Sequence, residues 1–203
     1  MTIRLHRGDL PDLTAYKGSV AIDTETLGLK PHRDRLCLVQ LSGGDGNADV
    51  VQIAPGQKSA PNLGKLLLDP AITKIFHFAR FDVTALKQGL GINCRPIYCT
   101  KIASRLARTN TDRHGLKDVV ASLLGIALDK EQQTSDWGGD SLSEVQLTYA
   151  AADVLYLHAL KAKLDALLAR EGRTALAAAT FAYLPTRAEM DLLDWPDLDI
   201  FAH

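Results

Sequence analysis

The sequence predicts an α/β domain in which helices pack on a mixed sheet, and three observations carry that expectation. A meander of apolar and alternating segments fills the first quarter of the chain. Helical and strand patterns then alternate, and from Thr100 onward almost every segment has helical spacing.

In order along the chain, Val20-Ala-Ile-Asp-Thr-Glu25 alternates as a strand does, and Leu36-Cys-Leu-Val-Gln-Leu41 is a nearly continuous apolar run. Residues 48–53 follow after Ser42-Gly-Gly-Asp-Gly-Asn47, a strong hairpin connection. Helical pattern begins at Asn62-Leu-Gly-Lys-Leu-Leu-Leu68, and Lys74-Ile-Phe-His-Phe78 reads as one more strand. Val83, Leu86 and Leu90 then recur at helical spacing, with Gly89 and Gly91 to end the helix. Ser141-Leu-Ser-Glu144 predicts a capping box that opens a long amphipathic stretch, with Leu157, Leu160, Leu164 and Leu167 on one face. The alanine-rich run 175–179 is good helix material.

A chain of 203 residues fits one well-buried domain better than two, and 46% apolar with 23% charged residues excludes a disordered polymer. No apolar run approaches the roughly 20 residues that cross a bilayer, and the first residues lack the apolar core of a secretory signal. Cys37, Cys94 and Cys99 form no C-x-x-C pair, so they are expected as small core residues in a reducing cytoplasm. A net charge of -1 excludes a protein that coats long nucleic acid by bulk cationic attraction. The charge is nevertheless uneven. Six bases against one acid, Asp112, lie between Arg95 and Lys117, and five acids without a base lie between Glu189 and Asp199. Such poles can present one face to phosphates and another to a partner.

Three groups of polar residues need an explanation. In the strand 20–25, alternation puts Asp23 and Glu25 on one face, where two buried unpaired carboxylates would cost several kcal/mol or neutralise. A divalent cation removes that problem, and an edge strand with two solvated acids removes it more simply. Asp82 sits where a strand turns into a helix, as either an N-cap or first-turn residue that suits the helix dipole or a ligand at the carboxyl edge of a sheet. Tyr149 and Asp153 stand four apart on a helix with three alanines between them, as a structural pair or as a surface cleared for a ligand.

Taken together, D-x-E on an apolar strand, an Asp at a strand-to-helix turn and Y-x-x-x-D on a late helix resemble the DEDD-type 3′–5′ exonucleases of the RNase H-like superfamily. The tyrosine marks the branch with RNase D and the proofreading exonuclease domains. The resemblance covers roughly residues 18–160, and Gln132-Gln-Thr-Ser-Asp-Trp137 and the segment 149–157 look like RNase D in particular. It implies an RNase H-like fold with a five-stranded mixed sheet and two divalent ions, Mg²⁺ or Mn²⁺, held by Asp23, Glu25, Asp82 and Asp153. Tyr149 would orient the attacking water and help remove its proton, with the metal doing most of that work because an unperturbed phenol near pKa ~10 is a poor base.

Substrate grip is expected from short-range contacts, the first of them as in the family and the others from residue type and spacing. The backbone at Thr26 would meet the terminal 3′-hydroxyl, and Leu29 would wedge against the terminal base. His77, Phe78 and Phe81 are candidates for stacking or phosphate contact, with core packing as the alternative for at least one phenylalanine. Lys101, Arg105 and Arg108 fall at i, i+4 and i+7 of a predicted helix and, with Arg113, His114 and Lys117, line a phosphate path or form a solvated face.

The sequence departs from RNase D at Gly138-Gly-Asp140, where Arg-Pro is usual, at Cys99, where Asp is usual, and at Phe78, where Asn is common. A single exonuclease domain over 1–203 is expected, with the core at about 18–160, a helical segment and tail at 161–203, and no further C-terminal nucleic-acid-binding domain. The tail from Trp195 to His203 makes the chain resemble the nano-RNase C family of alphaproteobacteria. That family implies a ring-like homo-oligomer, an octamer, that acts on short single-stranded RNA down to dinucleotides and releases nucleoside 5′-monophosphates. Aromatics spaced by acids suit docking on a basic patch of a second copy, and a tail packed on its own domain is the competing view. The rival activities are trimming of structured RNA 3′ ends, a DNA exonuclease, and a catalytically silent binding module.

Overall fold

The structure is a computed structural model, and it describes residues 1–128, 135–195, 200 and 202. One sheet organises the chain: β1 (Ile3–Arg7), β2 (Ser19–Thr26), β3 (Leu36–Ser42), β4 (Ala48–Gln52), β5 (Thr73–Phe76) and β6 (Ile97–Cys99), in the order β1-β4-β3-β2-β5-β6. The meander β2-β3-β4 is antiparallel, and β1 on β4, β5 on β2 and β6 on β5 are parallel.

The sheet has six strands where five were expected. The unexpected β1 has Arg4 and His6 at alternate positions, which reads as a solvated segment. Both side chains instead bind the buried Asp49 of β4, Arg4 through two bonds of 2.7 and 2.8 Å and His6 at 2.7 Å, and the Tyr16 hydroxyl donates to the same carboxylate at 2.6 Å. Strand β6 has three residues, too few for a periodicity to register.

Strand β2 lies between β3 and β5, so the edge-strand explanation of Asp23 and Glu25 does not hold. All seven residues of β3 are buried, as a strand covered on both faces requires. The covering helices are α1 (Pro61–Leu68), α2 (Ala79–Leu90), α3 (Thr100–Ala107), α4 (Leu116–Leu124), α5 (Glu144–Leu155), α6 (Leu157–Arg170) and α7 (Thr174–Leu192). The capping box at the start of α5 is two residues later than expected: the Ser143 hydroxyl accepts from the Gln146 backbone, and the Gln146 side chain returns to the Ser143 backbone. On α6 the buried stripe is Leu157, Leu160, Leu164 and Leu168, so Leu168 replaces Leu167 at the end of the apolar face.

Helix α7 closes over α2. Arg80 forks onto Asp191 with two bonds of 2.7 Å, and Arg187 adds a third of 2.7 Å, so this nearly buried carboxylate has cationic donors on both oxygens. Lys87 pairs with Glu189 along the same seam. Beyond α7, the Trp195 carbonyl accepts from Arg187 at 2.6 Å, and the Trp195 ring is half exposed. The rest of the acidic tail, residues 196–199, 201 and 203, lies outside the described residues, as do residues 132–134 of the Ser-Asp-Trp motif. The three cysteines are free and buried. Among the described residues no helix is long and apolar enough to cross a membrane.

Candidate active site

Two elements meet at the carboxyl end of β2. The strand presents Asp23 and Glu25 to one face, and α5 lies on that face with Tyr149 and Asp153 one turn apart. One carboxylate oxygen each from Asp23, Glu25 and Asp153 lies within 4.8 Å of the others. The charged neighbours that act on Asp23 are Asp82, Asp153 and Glu25, all acidic. Burial, and then this repulsion, hold Asp23 well above the usual carboxylate range and push Glu25 up to about 8. A set of hard oxygen donors that repel one another is the donor chemistry of Mg²⁺ or Mn²⁺.

Asp82 comes from the other side. It lies in the first turn of α2 but does not cap it, because the helix starts at Ala79 and its N-cap position is Phe78. The Asp82 carboxylate is 2% exposed and accepts a 2.8 Å hydrogen bond from the Thr24 hydroxyl. Thr24 alternates with Asp23, so α2 approaches the strand from the face opposite α5. Burial pushes Asp82 up to about 7, against the hydrogen bonds from Thr24 and from its own backbone. Asp82 stands outside the three-carboxylate group yet close enough to raise Asp23.

Tyr149 is half-buried and stacks on Trp137, with ring centroids 6.0 Å apart and planes 30° from parallel. Burial and the charges of Asp153, Glu25 and Asp23 all raise its phenol above the ordinary value. Such a hydroxyl keeps its proton and is available as a hydrogen-bond donor.

Asp23, Glu25, Asp153, Tyr149 and Trp137 line a cleft of about 620 Å³ that also includes Thr26, Leu29, His77, Phe78, Phe81 and Lys101, while Asp82 lies behind its wall. All five candidates for direct nucleotide contact are therefore in its wall. Leu29 is 81% exposed, as a wedge must be, and Phe78 is 43% exposed beneath the Lys101 ammonium, 4.2 Å from the ring centroid. Phe81 is partly buried. The Thr26 hydroxyl turns back to the Gly28 carbonyl, which shapes the loop that carries Leu29. His77 Nδ1 lies 2.8 Å from the Thr100 hydroxyl, which itself donates to the Phe76 carbonyl at 3.1 Å, so Nδ1 carries a proton.

The basic stripe does not survive as one face. Helix α3 ends at Ala107, so Arg108 leaves the i, i+4, i+7 row. Its guanidinium donates to Ser104 Oγ at 3.1 Å, the Arg113 carbonyl at 3.3 Å and Ser122 Oγ at 3.0 Å, which fastens α3 to α4. His114 is bonded to the same Ser104 hydroxyl at 2.9 Å. Arg105, Arg113 and Lys117 are exposed, and none of these five residues is in the cleft wall, whereas Lys101 is. Two further residues were not singled out as site residues from the sequence. Thr24 gave no signal, because its alternation points away from the acids. Trp137 did give one, in the Ser-Asp-Trp motif.

A family model described as 3′–5′ exonuclease matches residues 10–169. Ribonuclease D of Gluconacetobacter diazotrophicus is 41% identical over 165 residues, 81% of this chain and 42% of that protein. The chain thus spans about two fifths of the length of the curated ribonucleases D that it matches. Among solved structures, Brucella melitensis NrnC with bound Mg²⁺ superimposes with a TM-score of 0.97 at 60% identity, covering 100% of both chains. The same protein bound to pGG gives 0.97 and 60%, over 100% of this chain and 99% of that one. Escherichia coli RNase D gives 0.76 and 27%, over 85% and 45% of the two chains.

Proposed function

Because the chain belongs to the 3′–5′ exonuclease family, we propose that it is a metal-dependent exoribonuclease that releases nucleoside 5′-monophosphates from the 3′ end of short RNA, dinucleotides included. The observation that carries this is the convergence of Asp23, Glu25 and Asp153 within 4.8 Å, with Tyr149 one helical turn from Asp153. The likeness to NrnC, solved with Mg²⁺ and with pGG and 60% identical over the whole chain, supports the metal and the short substrate.

Asp23, Glu25 and Asp153 would hold one divalent ion and Asp23 with Asp82 a second, and a bound pair supplies water activation and charge stabilisation on the phosphate. Tyr149 donates a hydrogen bond that aims the attacking water, and burial beside the carboxylates favours its protonated phenol. Leu29 and the backbone at Thr26 seat the terminal nucleotide, and Phe78 and Phe81 offer faces to bases at roughly 1–3 kcal/mol each. Lys101 draws a phosphate toward a cleft that would otherwise repel it. His77 contributes a polar edge to the wall. Arg105, Arg113 and Lys117 stay available as outer contacts for RNA longer than the cleft.

The same reading takes the 203 residues as one domain, since α7 seals the back of the helix that carries Asp82. It takes the buried free thiols as those of a cytoplasmic protein. It takes the exposed Leu193, Trp195 and Ile200 as part of a contact between copies in a ring. Light scattering measures that last point directly.

The test is purified protein with Mn²⁺ or Mg²⁺ and end-labelled RNAs of two to twenty nucleotides. Nucleoside 5′-monophosphates should appear from the 3′ end, dinucleotides should be consumed, and chelation should stop the reaction. Turnover in a chelator, or products ending in a 3′-phosphate, would overturn the reading. The ribonuclease D likeness favours a second reading, trimming of structured RNA 3′ ends, for which a long transcript would be degraded faster than a dinucleotide.

A further inference from the structure

Trp137 belongs to the one motif of the sequence with no role in the reaction as described. Its indole is 3% exposed and packs with Cys37, Leu38, Val50 and Ala150 in a small apolar cluster between the sheet and α5. The outer face of that cluster is the Tyr149 ring, 6.0 Å away and 30° from parallel. Offset ring pairs at this separation attract one another beyond their apolar burial. Among the described residues the indole N–H has no hydrogen-bond partner, and the contact with Tyr149 is made by the ring faces.

The loop that carries Trp137 is fastened mainly to the sheet. Arg35 donates to the Gly138 carbonyl at 3.2 Å while also donating to the Ile53 carbonyl at 3.0 Å, and Gln52 of β4 donates to the Gly139 carbonyl at 2.9 Å. Gln146 of α5 adds a bond of 3.1 Å to the Asp136 carbonyl. Tyr149 rides on α5, whereas Asp23 and Glu25 ride on β2 of the sheet. A half-buried tyrosine beside an open cleft can change rotamer, which would move its hydroxyl several ångströms relative to the carboxylates.

We propose that Trp137 is a positioning residue: through the stacked rings, the sheet-anchored loop 135–140 holds the Tyr149 hydroxyl in register with the carboxylates of β2. The inference rests on the reading of Tyr149 as the residue that aims the water. A second consequence is that the loop, and not α5 alone, sets the turnover rate.

The experiment is a double-mutant cycle on a short RNA with Mn²⁺, reading kcat, KM and the Mn²⁺ concentration for half activation. Trp137→Leu keeps an apolar side chain but removes the aromatic face and should lower kcat by roughly tenfold to a hundredfold, with KM and the Mn²⁺ midpoint within about twofold of the parent. Trp137→Phe keeps a ring face and should restore most of kcat. In a Tyr149→Phe background, Trp137→Leu should change kcat by no more than about twofold, because the hydroxyl it positions is gone. Losses that multiply, or a Trp137→Leu enzyme with the parent kcat, would overturn the proposal while leaving a slow Tyr149→Phe enzyme consistent with the role of Tyr149. A Tyr149→Phe enzyme as fast as the parent would overturn both. Melting curves check each variant, and Trp137→Met replaces Trp137→Leu in the cycle should the latter not fold.

Discussion

The Thr24 hydroxyl donates a 2.8 Å hydrogen bond to Asp82 Oδ1, from a strand to a helix 58 residues further along the chain. Thr24 is the neighbour of Asp23, and its side chain points to the face opposite the three clustered carboxylates. One short polar side chain thus fixes how far Asp82 stands from them.

Thr24→Val keeps the shape and removes the donor, so the Asp82 carboxylate stays buried with one hydrogen bond fewer. The expected cost is about 1–3 kcal/mol at pH 8. That bond favours the charged form, so its loss moves Asp82 further up, and the penalty should shrink near pH 5, where Asp82 is largely protonated. Melting curves at the two pH values read both parts.

Asp23, Glu25 and Asp82 all have folded values above their unfolded ones, with Glu25 at about 8 and Asp82 at about 7. Between about pH 4 and 8 the folded protein therefore holds protons that the unfolded chain has released, and these three groups lower stability as pH rises. In a chelator the melting temperature should fall from pH 5.5 to 8.5. Added Mn²⁺ should raise it, and by more at pH 8 than at pH 6, because the ion competes with protons for the same oxygens. A gain from Mn²⁺ that shrinks with pH would contradict this.

Asp153→Asn removes one of three mutually repelling charges but keeps the volume. Hydrolysis should fall by roughly 10³-fold. The metal-free protein should melt higher than the parent at pH 8, since Asp23 and Glu25 lose a repelling neighbour. An asparagine variant less stable than the parent without metal would count against the repulsion argued above.

Lys101 and Arg108 should separate cleanly. Lys101→Met leaves Phe78 without its cation and should raise KM several-fold, with a weaker salt dependence of RNA binding. Arg108→Ala removes bonds to Ser104, Arg113 and Ser122 and should cost about 1–2 kcal/mol of stability with kcat and KM nearly unchanged. Urea melts beside steady-state kinetics distinguish the two.

The sequence was most informative where chemistry and periodicity agree. Two acids on one face of an apolar strand, and a tyrosine and an acid one helical turn apart, are local patterns that the fold only has to bring together. What stayed hidden depends on partners distant in the chain. Strand β1 is polar in its own sequence, and only the buried Asp49, more than forty positions on, makes Arg4 and His6 compatible with a strand. The row Lys101, Arg105, Arg108 presumes a helix that continues past Ala107, whereas the loop-forming run Thr109-Asn-Thr-Asp112 follows at once and the helix stops just short of it. The two-residue displacement of the capping box came from two serines with equal local claims, and the bond from Gln146 to the Asp136 carbonyl favours the later one.

The seam between α2 and α7 bears on what counts as the smallest working piece of this chain. The matched exonuclease segment stops at residue 169, but Asp191, which neutralises Arg80 two positions before Asp82, lies beyond it. A chain cut at that limit would uncover the apolar back of α2 and take Asp191 from the Arg80 guanidinium and Glu189 from the Lys87 ammonium. The segment matched by the exonuclease model thus ends before the partners of α2 do, and those partners come from the last helix.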